Sequence, residues 1–336
     1  MEPLNKKKLG VIVAQDYWIH FNDIHNALQA KYKTKIFNER KWPFQLMSTR
    51  INQILLKHDL YRFMNQNDIL FFEWAEQNFV YATNLPKKTA IIVRLHLHEL
   101  WDFAPQANWE NVEMVILVSF AMQRKFLENF PRMEGRTSVI HNGVRLDRFR
   151  PNTCKFQGVI GTLSRIEPHK RIYDLIIVLN ELRELGYDLR LVIGGSCTES
   201  RYKRYEHEVH LLVKRLQLEP YVTFSGFVKD PPSWFEQLDI FVTHSCSEGL
   251  QVALLEAMAT SCYCLSHAWD GVEEILPQSN VYYSENQLIE KIITYVNEAE
   301  ETKHQIKAAM RDIVVEKFNI EERKHDIIRC IEAINY

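Results

Sequence analysis

Glycine and proline are scarce, 11 of each in 336 residues, which excludes a collagenous, low-complexity or turn-dense all-β chain. No apolar run approaches the roughly 20 residues that a membrane-crossing helix needs; Met114–Met122 is among the longest. Lys6, Lys7 and Lys8 open the chain, but the apolar stretch Val11–Ala14 is too short for a secretory signal. The six cysteines all follow residue 150 and no two are spaced as CxxC, so free thiols in a reducing cytosol are expected rather than a disulfide framework. No GxxxxGK[ST] occurs, so a Walker phosphate loop is excluded.

What is present is ordinary globular composition, 46% hydrophobic and 25% charged, which excludes a disordered chain. At roughly 100–200 residues per domain, the length suggests two domains or one large one. The net charge of −2 hides an asymmetry, because residues 1–150 hold 21 Lys and Arg against 15 Asp and Glu while the rest holds 20 against 28. Either the two halves meet different partners or the charge is scattered surface charge, which bears on association and not on fold.

Short β-branched and aromatic runs alternate with longer helical patterns, which predicts parallel sheets with crossover helices. The first-half strands are expected at Leu9–Ala14, Lys33–Phe37, Ile69–Trp74, Ala90–Leu97, Met114–Ser119 and Thr137–His141. The second-half strands are expected at Gly158–Leu163, Leu189–Ile193, Tyr221–Ser225, Ile240–His244, Cys262–Ser266 and Val281–Tyr283. Helical spacing marks Ile172–Leu185, Leu288–Val296 and a final helix over Glu316–Tyr336. Two sets of six strands predict two doubly wound α/β domains rather than one closed barrel. The polar stretch within Phe149–Gln157 reads as the linker, giving domains over 1–150 and 151–315 and a terminal helix over 316–336. Ligands are expected at the carboxyl ends of the strands.

The segment Ser245-Cys-Ser-Glu-Gly-Leu-Gln-Val-Ala-Leu-Leu-Glu-Ala-Met-Ala259 carries the most chemistry. A helix starting at Ser247 or Glu248 would aim the N–H groups of Gly249, Leu250 and Gln251 at an anion such as a diphosphate. Glu256 lies among apolar residues, so its carboxylate needs a partner, which a ligand or a core arginine could supply. Glu248 and Glu256 would stand about 12 Å apart along one helix. A second cluster, Arg165 and Lys170, follows the strand Gly158–Leu163 and has the charge to hold a phosphate leaving group. Asn142-Gly143 reads as a turn with positive φ.

These segments fall in the order of a known family. The chain resembles the retaining glycosyltransferases of glycosyltransferase family 4, which have the two-domain GT-B fold. The resemblance rests on Val139-Ile-His-Asn-Gly-Val-Arg-Leu-Asp-Arg-Phe-Arg-Pro151, Gly161 through Lys170, Leu191-Val-Ile-Gly-Gly195 and Val222-Thr-Phe-Ser-Gly-Phe-Val228. It continues through Asp239-Ile-Phe-Val-Thr-His-Ser245, the Glu-x7-Glu segment and Gly271-Val-Glu-Glu-Ile275, covering about residues 137–275. It implies two Rossmann-like domains facing across a cleft, with Arg165 and Lys170 on the donor diphosphate. It also implies Glu248 on the donor sugar, Glu256 on the ribose hydroxyls and the amides of Gly249, Leu250 and Gln251 on the phosphates. The substrate is then a nucleotide diphosphate sugar, of UDP or GDP type, with no cofactor. The GT-A type Asp-x-Asp metal motif is absent and no metal is expected.

In the first half, Ile91-Ile-Val-Arg-Leu-His-Leu-His-Glu99 reads as a strand that puts His96 and His98 on one face. By the resemblance His96 is the catalytic-side histidine, with Glu99 nearby. An H-x-H pair also occurs in metal hydrolases, but such an enzyme needs further ligands on one barrel. One departure stands out: Val13–Phe21 lacks the glycine-rich turn common after the family's first strand. The basic stretch from Lys31 to Lys41 points to an anionic acceptor, a lipid-linked sugar or a modified nucleic acid, beside the alternative of a neutral saccharide or small molecule. A cytoplasmic protein with peripheral membrane contact fits the lipid case. Rival readings are a sugar-nucleotide epimerase of the same architecture, which needs no acceptor, and a non-catalytic nucleotide-sugar-binding module.

Overall fold

The structure is a computed structural model and describes residues 6–13, 18–40, 48–86 and 89–334. The chain divides into two compact units, residues 1–141 with 321–336 and residues 142–320. The division falls at His141/Asn142, ahead of the stretch Phe149–Gln157 read as a linker. The terminal residues from Glu321 count with the first unit.

The first unit runs β1 (Lys8–Val13), α1 (Trp18–Lys31), β2 (Lys33–Ile36), α2 (Ser48–Met64), β3 (Ile69–Glu73) and α3 (Gln77–Thr83). It continues with β4 (Ala90–Leu95), α4 (Leu97–Asp102), β5 (Met114–Leu117), α5 (Phe120–Asn129) and β6 (Thr137–Val139). Its sheet is parallel throughout, in the order β2-β1-β3-β4-β5-β6. Every residue of β3 and β4 is buried, as expected of strands covered by helices on both faces. Two of those buried residues are charged, Glu73 and Arg94, and the sheet register sets them side by side. Aromatic packing fills the space around the sheet, with Phe21 stacked on Phe71 at 5.8 Å and Phe79 edge-on to Phe72 at 5.4 Å.

The second unit runs β7 (Val159–Leu163), α6 (Ile172–Glu184), β8 (Arg190–Gly194), α7 (Lys203–Arg215), β9 (Val222–Gly226) and α8 (Pro231–Phe235). Then come β10 (Ile240–Thr243), α9 (Val252–Ala259), β11 (Tyr263–His267), β12 (Val281–Tyr282), α10 (Glu285–Asn297) and α11 (Glu300–Lys317). A last helix, α12 (Ile320–Glu332), follows after a two-residue break. The parallel sheet has the order β12-β11-β10-β7-β8-β9. In α6 the residues Ile172, Leu175, Ile176, Leu179 and Leu182 are buried together, the apolar face that the periodicity predicts.

All twelve expected strands are present, their ends shifted by one or two residues. Three expectations change. The final helix starts at Ile320 and not at Glu316, because Glu316 and Lys317 end a separate helix, α11; at the break the Ile320 amide bonds to the Val144 carbonyl. Gly143 does not have a positive φ; glycine is required there because an added Cβ would lie 2.6 Å from the Ile320 Cα. The segment Ser247–Gln251 is not helical, since α9 begins only at Val252 and Gln251 is extended at φ −77°, ψ 114°. Among the described residues, no helix is long and apolar enough to cross a membrane.

Candidate functional site

Strand order reverses in the second unit between β7 and β10, so the loops after these two strands flank the crevice where doubly wound sheets bind ligands. The loop after β7 is fixed from beside: Ser164 N–H donates to Gly194 O at 3.1 Å and Ile166 N–H to Ser196 O at 3.2 Å. Gly195, at φ +109°, must be glycine, because a Cβ there would sit 1.9 Å from the Ser164 carbonyl oxygen. A short turn, Pro168–Lys170, then presents Lys170, and Arg171 at φ +53° turns the chain into α6.

Lys170 Nζ donates to Glu248 Oε1 at 2.5 Å, and both side chains are only 12% exposed. A charged pair this far from water is held in one geometry, whatever its net worth to stability. The two loops are also joined by the backbone, the Cys246 N–H donating to His169 O at 3.0 Å. Arg165 is half exposed and faces other acids, its Nε 3.2 Å from Glu167 Oε1 and Nη1 3.6 Å from Glu199 Oε1.

Gly249, Leu250 and Gln251 are buried ahead of α9 instead of inside it. The Asn142 side chain pins them, its Nδ2 donating to Leu250 O at 3.0 Å across 108 residues. The N–H groups at the helix end therefore begin at Val252. Glu248 and Glu256 do not share a helix, so the 12 Å helical spacing does not apply. The helix is also not apolar all round in its surroundings: Val252, Ala253 and Glu256 form one half-buried stripe, and the rest is buried. Burial pushes the Glu256 carboxyl up to about 8, with the Arg148 charge pulling the other way.

Beside Lys170 lies a cluster that the sequence did not announce. The Arg171 guanidinium binds Asp174 Oδ2 at 2.8 Å and also Glu285, which opens α10. His244, directly after β10, has Nε2 3.5 Å from Glu285 Oε1 and Nδ1 2.7 Å from the Tyr282 hydroxyl. Asp174, His244 and Glu285 offer ligand atoms within 4.8 Å of one another. The guanidinium already supplies the positive charge between the two carboxylates. Burial, and next the Arg171 charge, pushes the His244 imidazole down to about 4.

In the first unit, β4 ends at Leu95, so His96 and His98 do not share a strand face. His96 caps α4, whose first turn holds His98. Glu99 closes a capping box, its Oε2 accepting from the His96 amide at 3.0 Å and the Ala75 amide at 2.9 Å. Burial raises the Glu99 carboxyl to about 7. The His96 Nε2 lies 3.3 Å from Glu73 Oε1, which also accepts from Arg94 Nη1 at 2.7 Å. Burial outweighs the Glu73 charge and pushes the His96 imidazole down to about 4, so the ring is neutral at pH 7. Trp74, at φ +81°, stacks on this ring at 3.8 Å.

The loop expected to depart after the first strand lies partly outside the described residues, at 14–17, as does Lys41. Of the basic stretch, Lys31 pairs with Glu332 at 2.7 Å and Arg40 with Asp59. Glu73 and Arg94 were legible as charges inside apolar runs, Ile69–Glu73 and Ala90–Leu95. Trp74, Arg171, His244 and Glu285 carried no comparable sign.

Residues 145–312 match the family model described as Glycosyl transferases group 1. The chain is 24% identical over 159 residues to the capsular polysaccharide biosynthesis glycosyltransferase CapM of Staphylococcus aureus, a match covering 43% of this chain and 40% of that protein. The structure is similar to that of Anabaena Alr3699/HepE in complex with UDP and glucose, with a TM-score of 0.78, 19% identity and coverage of 98% and 100% of the two chains. It is similar also to sucrose-phosphate synthase from Thermosynechococcus elongatus, with a TM-score of 0.78, 14% identity and coverage of 97% and 98%. Two six-stranded parallel sheets with flanking helices and these neighbours give the GT-B fold.

Proposed function

The chain belongs to the glycosyl transferases group 1 family, and from that premise we propose that it moves a sugar from a nucleotide diphosphate sugar to an acceptor hydroxyl, retaining the anomeric configuration as in glycosyltransferase family 4. The observation that carries this reading is the Lys170–Glu248 pair at the strand-order reversal of the second unit, with Arg165 on the same loop. Breaking the bond to the diphosphate leaves negative charge on the departing nucleotide. Lys170, Arg165 and the α9 N-terminus are the groups here that can meet it. In this reading Lys170, by bonding one oxygen of Glu248, holds that carboxylate ready to accept from donor-sugar hydroxyls. Glu256 receives the ribose hydroxyls; as a neutral acid below pH 8 it both donates and accepts, and it adds no negative charge near the phosphates. The non-helical backbone of Gly249, Leu250 and Gln251 lines the approach to the phosphates. His96, held neutral, takes the role of a hydrogen-bonding group and not of a base. Six free cysteines fit a cytoplasmic setting.

The test is a screen of UDP- and GDP-sugars that reads nucleotide release with and without candidate acceptors. Lys170→Ala and Glu256→Ala are each expected to lower release by about 10²-fold while the circular dichroism spectrum is unchanged. Near-normal rates in both would remove the assignment, and a changed sugar nucleotide released without acceptor would favour an epimerase.

A further inference from the structure

A cavity of about 550 Å³ opens in the first unit at the carboxyl ends of β1, β2 and β3, where its strand order reverses. Its volume lies in the range of roughly 300–1,000 Å³ typical of small-molecule sites, and its position is where doubly wound sheets bind ligands. We propose that this cavity takes the acceptor as the end of an uncharged, hydroxyl-rich saccharide, and that Trp74 and Glu73 set this specificity. The inference rests on the transfer reading above and supplies the substrate class that reading leaves open.

Three features of the wall carry it. The first is aromatic: Trp18, Phe37 and Trp74 line the cavity, and flat rings suit the C–H face of a pyranose. Trp74 holds a left-handed backbone that a bulky residue rarely adopts, and its stacking on His96 fixes the ring in place. The second is an open acceptor. Glu73 lines the cavity while only 2% exposed; its Oε1 takes Arg94 and His96, but its Oε2 has no hydrogen-bond partner among the described residues. A buried carboxylate oxygen left open is costly, and a sugar hydroxyl is a donor that would satisfy it. The third is charge, since the charged side chains of the described lining are Glu39, Glu73 and Glu76, and a phosphate set against them would be repelled. Lys31 and Arg40 of the neighbouring basic stretch are paired with Glu332 and Asp59.

The experiment is a titration of intrinsic tryptophan fluorescence on the full chain without donor. The probes are methyl glycosides of neutral hexoses, neutral disaccharides and the matching hexose 6-phosphates. At least one neutral probe is expected to give a saturable change, with affinity lowered tenfold or more in Trp74→Ala and in Glu73→Gln, and with the 6-phosphates failing to compete. If Glu73→Gln does not fold, Trp18→Ala supplies the second variant, with the same tenfold loss expected. The proposal is overturned by tighter binding of the phosphates, by unchanged affinity in Trp74→Ala, or by no saturable change with any neutral probe. Nucleotide release, measured separately, keeps the two readings apart. Saccharide binding with no release from any donor sinks the transfer reading alone, whereas release with no saccharide binding sinks this one alone.

Discussion

The two units share one plan, six parallel strands with a single reversal of order, yet they place their charges in opposite ways. In the second unit the charged groups stand on loops beyond the strand ends: Arg165, Lys170 and Glu248 lie within two short segments. In the first unit Glu73 ends β3 and Arg94 lies one residue from the end of β4, both buried, in register and carrying a histidine and a tryptophan above them. A loop-borne cation can reach a phosphate and change its contacts as the charge moves. A strand-borne carboxylate locked by an arginine keeps one geometry, which suits recognition of a fixed ring. Under the two proposals, the same scaffold handles an anion in one unit and recognises hydroxyls in the other.

The contrast can be broken most forcefully at Glu248. Glu248→Ala removes the partner of Lys170 and is expected to lower nucleotide release by about 10²–10³-fold while saccharide quenching of the first unit is unchanged. A parallel loss of both activities would end the division of labour.

A smaller effect is expected from titration at Glu256. Its folded-state value of about 8 lies above the ordinary 4.5, so the folded protein prefers the neutral acid. The stability this represents is complete below about pH 4.5 and is lost as pH rises through 8. Glu256→Gln keeps the neutral form, so its melting temperature should match wild type near pH 4.5 and exceed it by a few degrees at pH 8.5. Equal melting temperatures at both pH values would show that the carboxyl is not held in a dry site.

The mildest test is salt. Raising ionic strength from 50 to 300 mM should weaken competition by free UDP or GDP measurably and leave saccharide affinity within about twofold. A saccharide affinity that falls as steeply as the nucleotide's would erase the difference in charge between the units.

How far the sequence carried depends on how local each cause is. Inner strands such as β3, β4 and β10 were legible because buried parallel strands are runs of branched and aromatic residues, and Lys170 and Glu248 were legible as candidates because each sits in a short motif. What escaped was set at a distance. The α9 start moved to Val252 because Asn142 holds the Leu250 carbonyl from 108 residues away. Gly143 was read as a backbone requirement and proved to be a spatial one, imposed by Ile320. His96 and His98 were read as alternating on a strand that in fact ends at Leu95, because the Glu99 side chain captures two amides and starts a helix.

Arg171 has a consequence of its own. It directly follows Lys170, it holds a backbone conformation that favours glycine, and its guanidinium grips the first residue of α10, 114 positions further on. The lysine's perch and the start of α10 therefore form one braced joint. A substitution at Glu285, 114 positions along the chain, therefore removes a brace from the residue that follows Lys170.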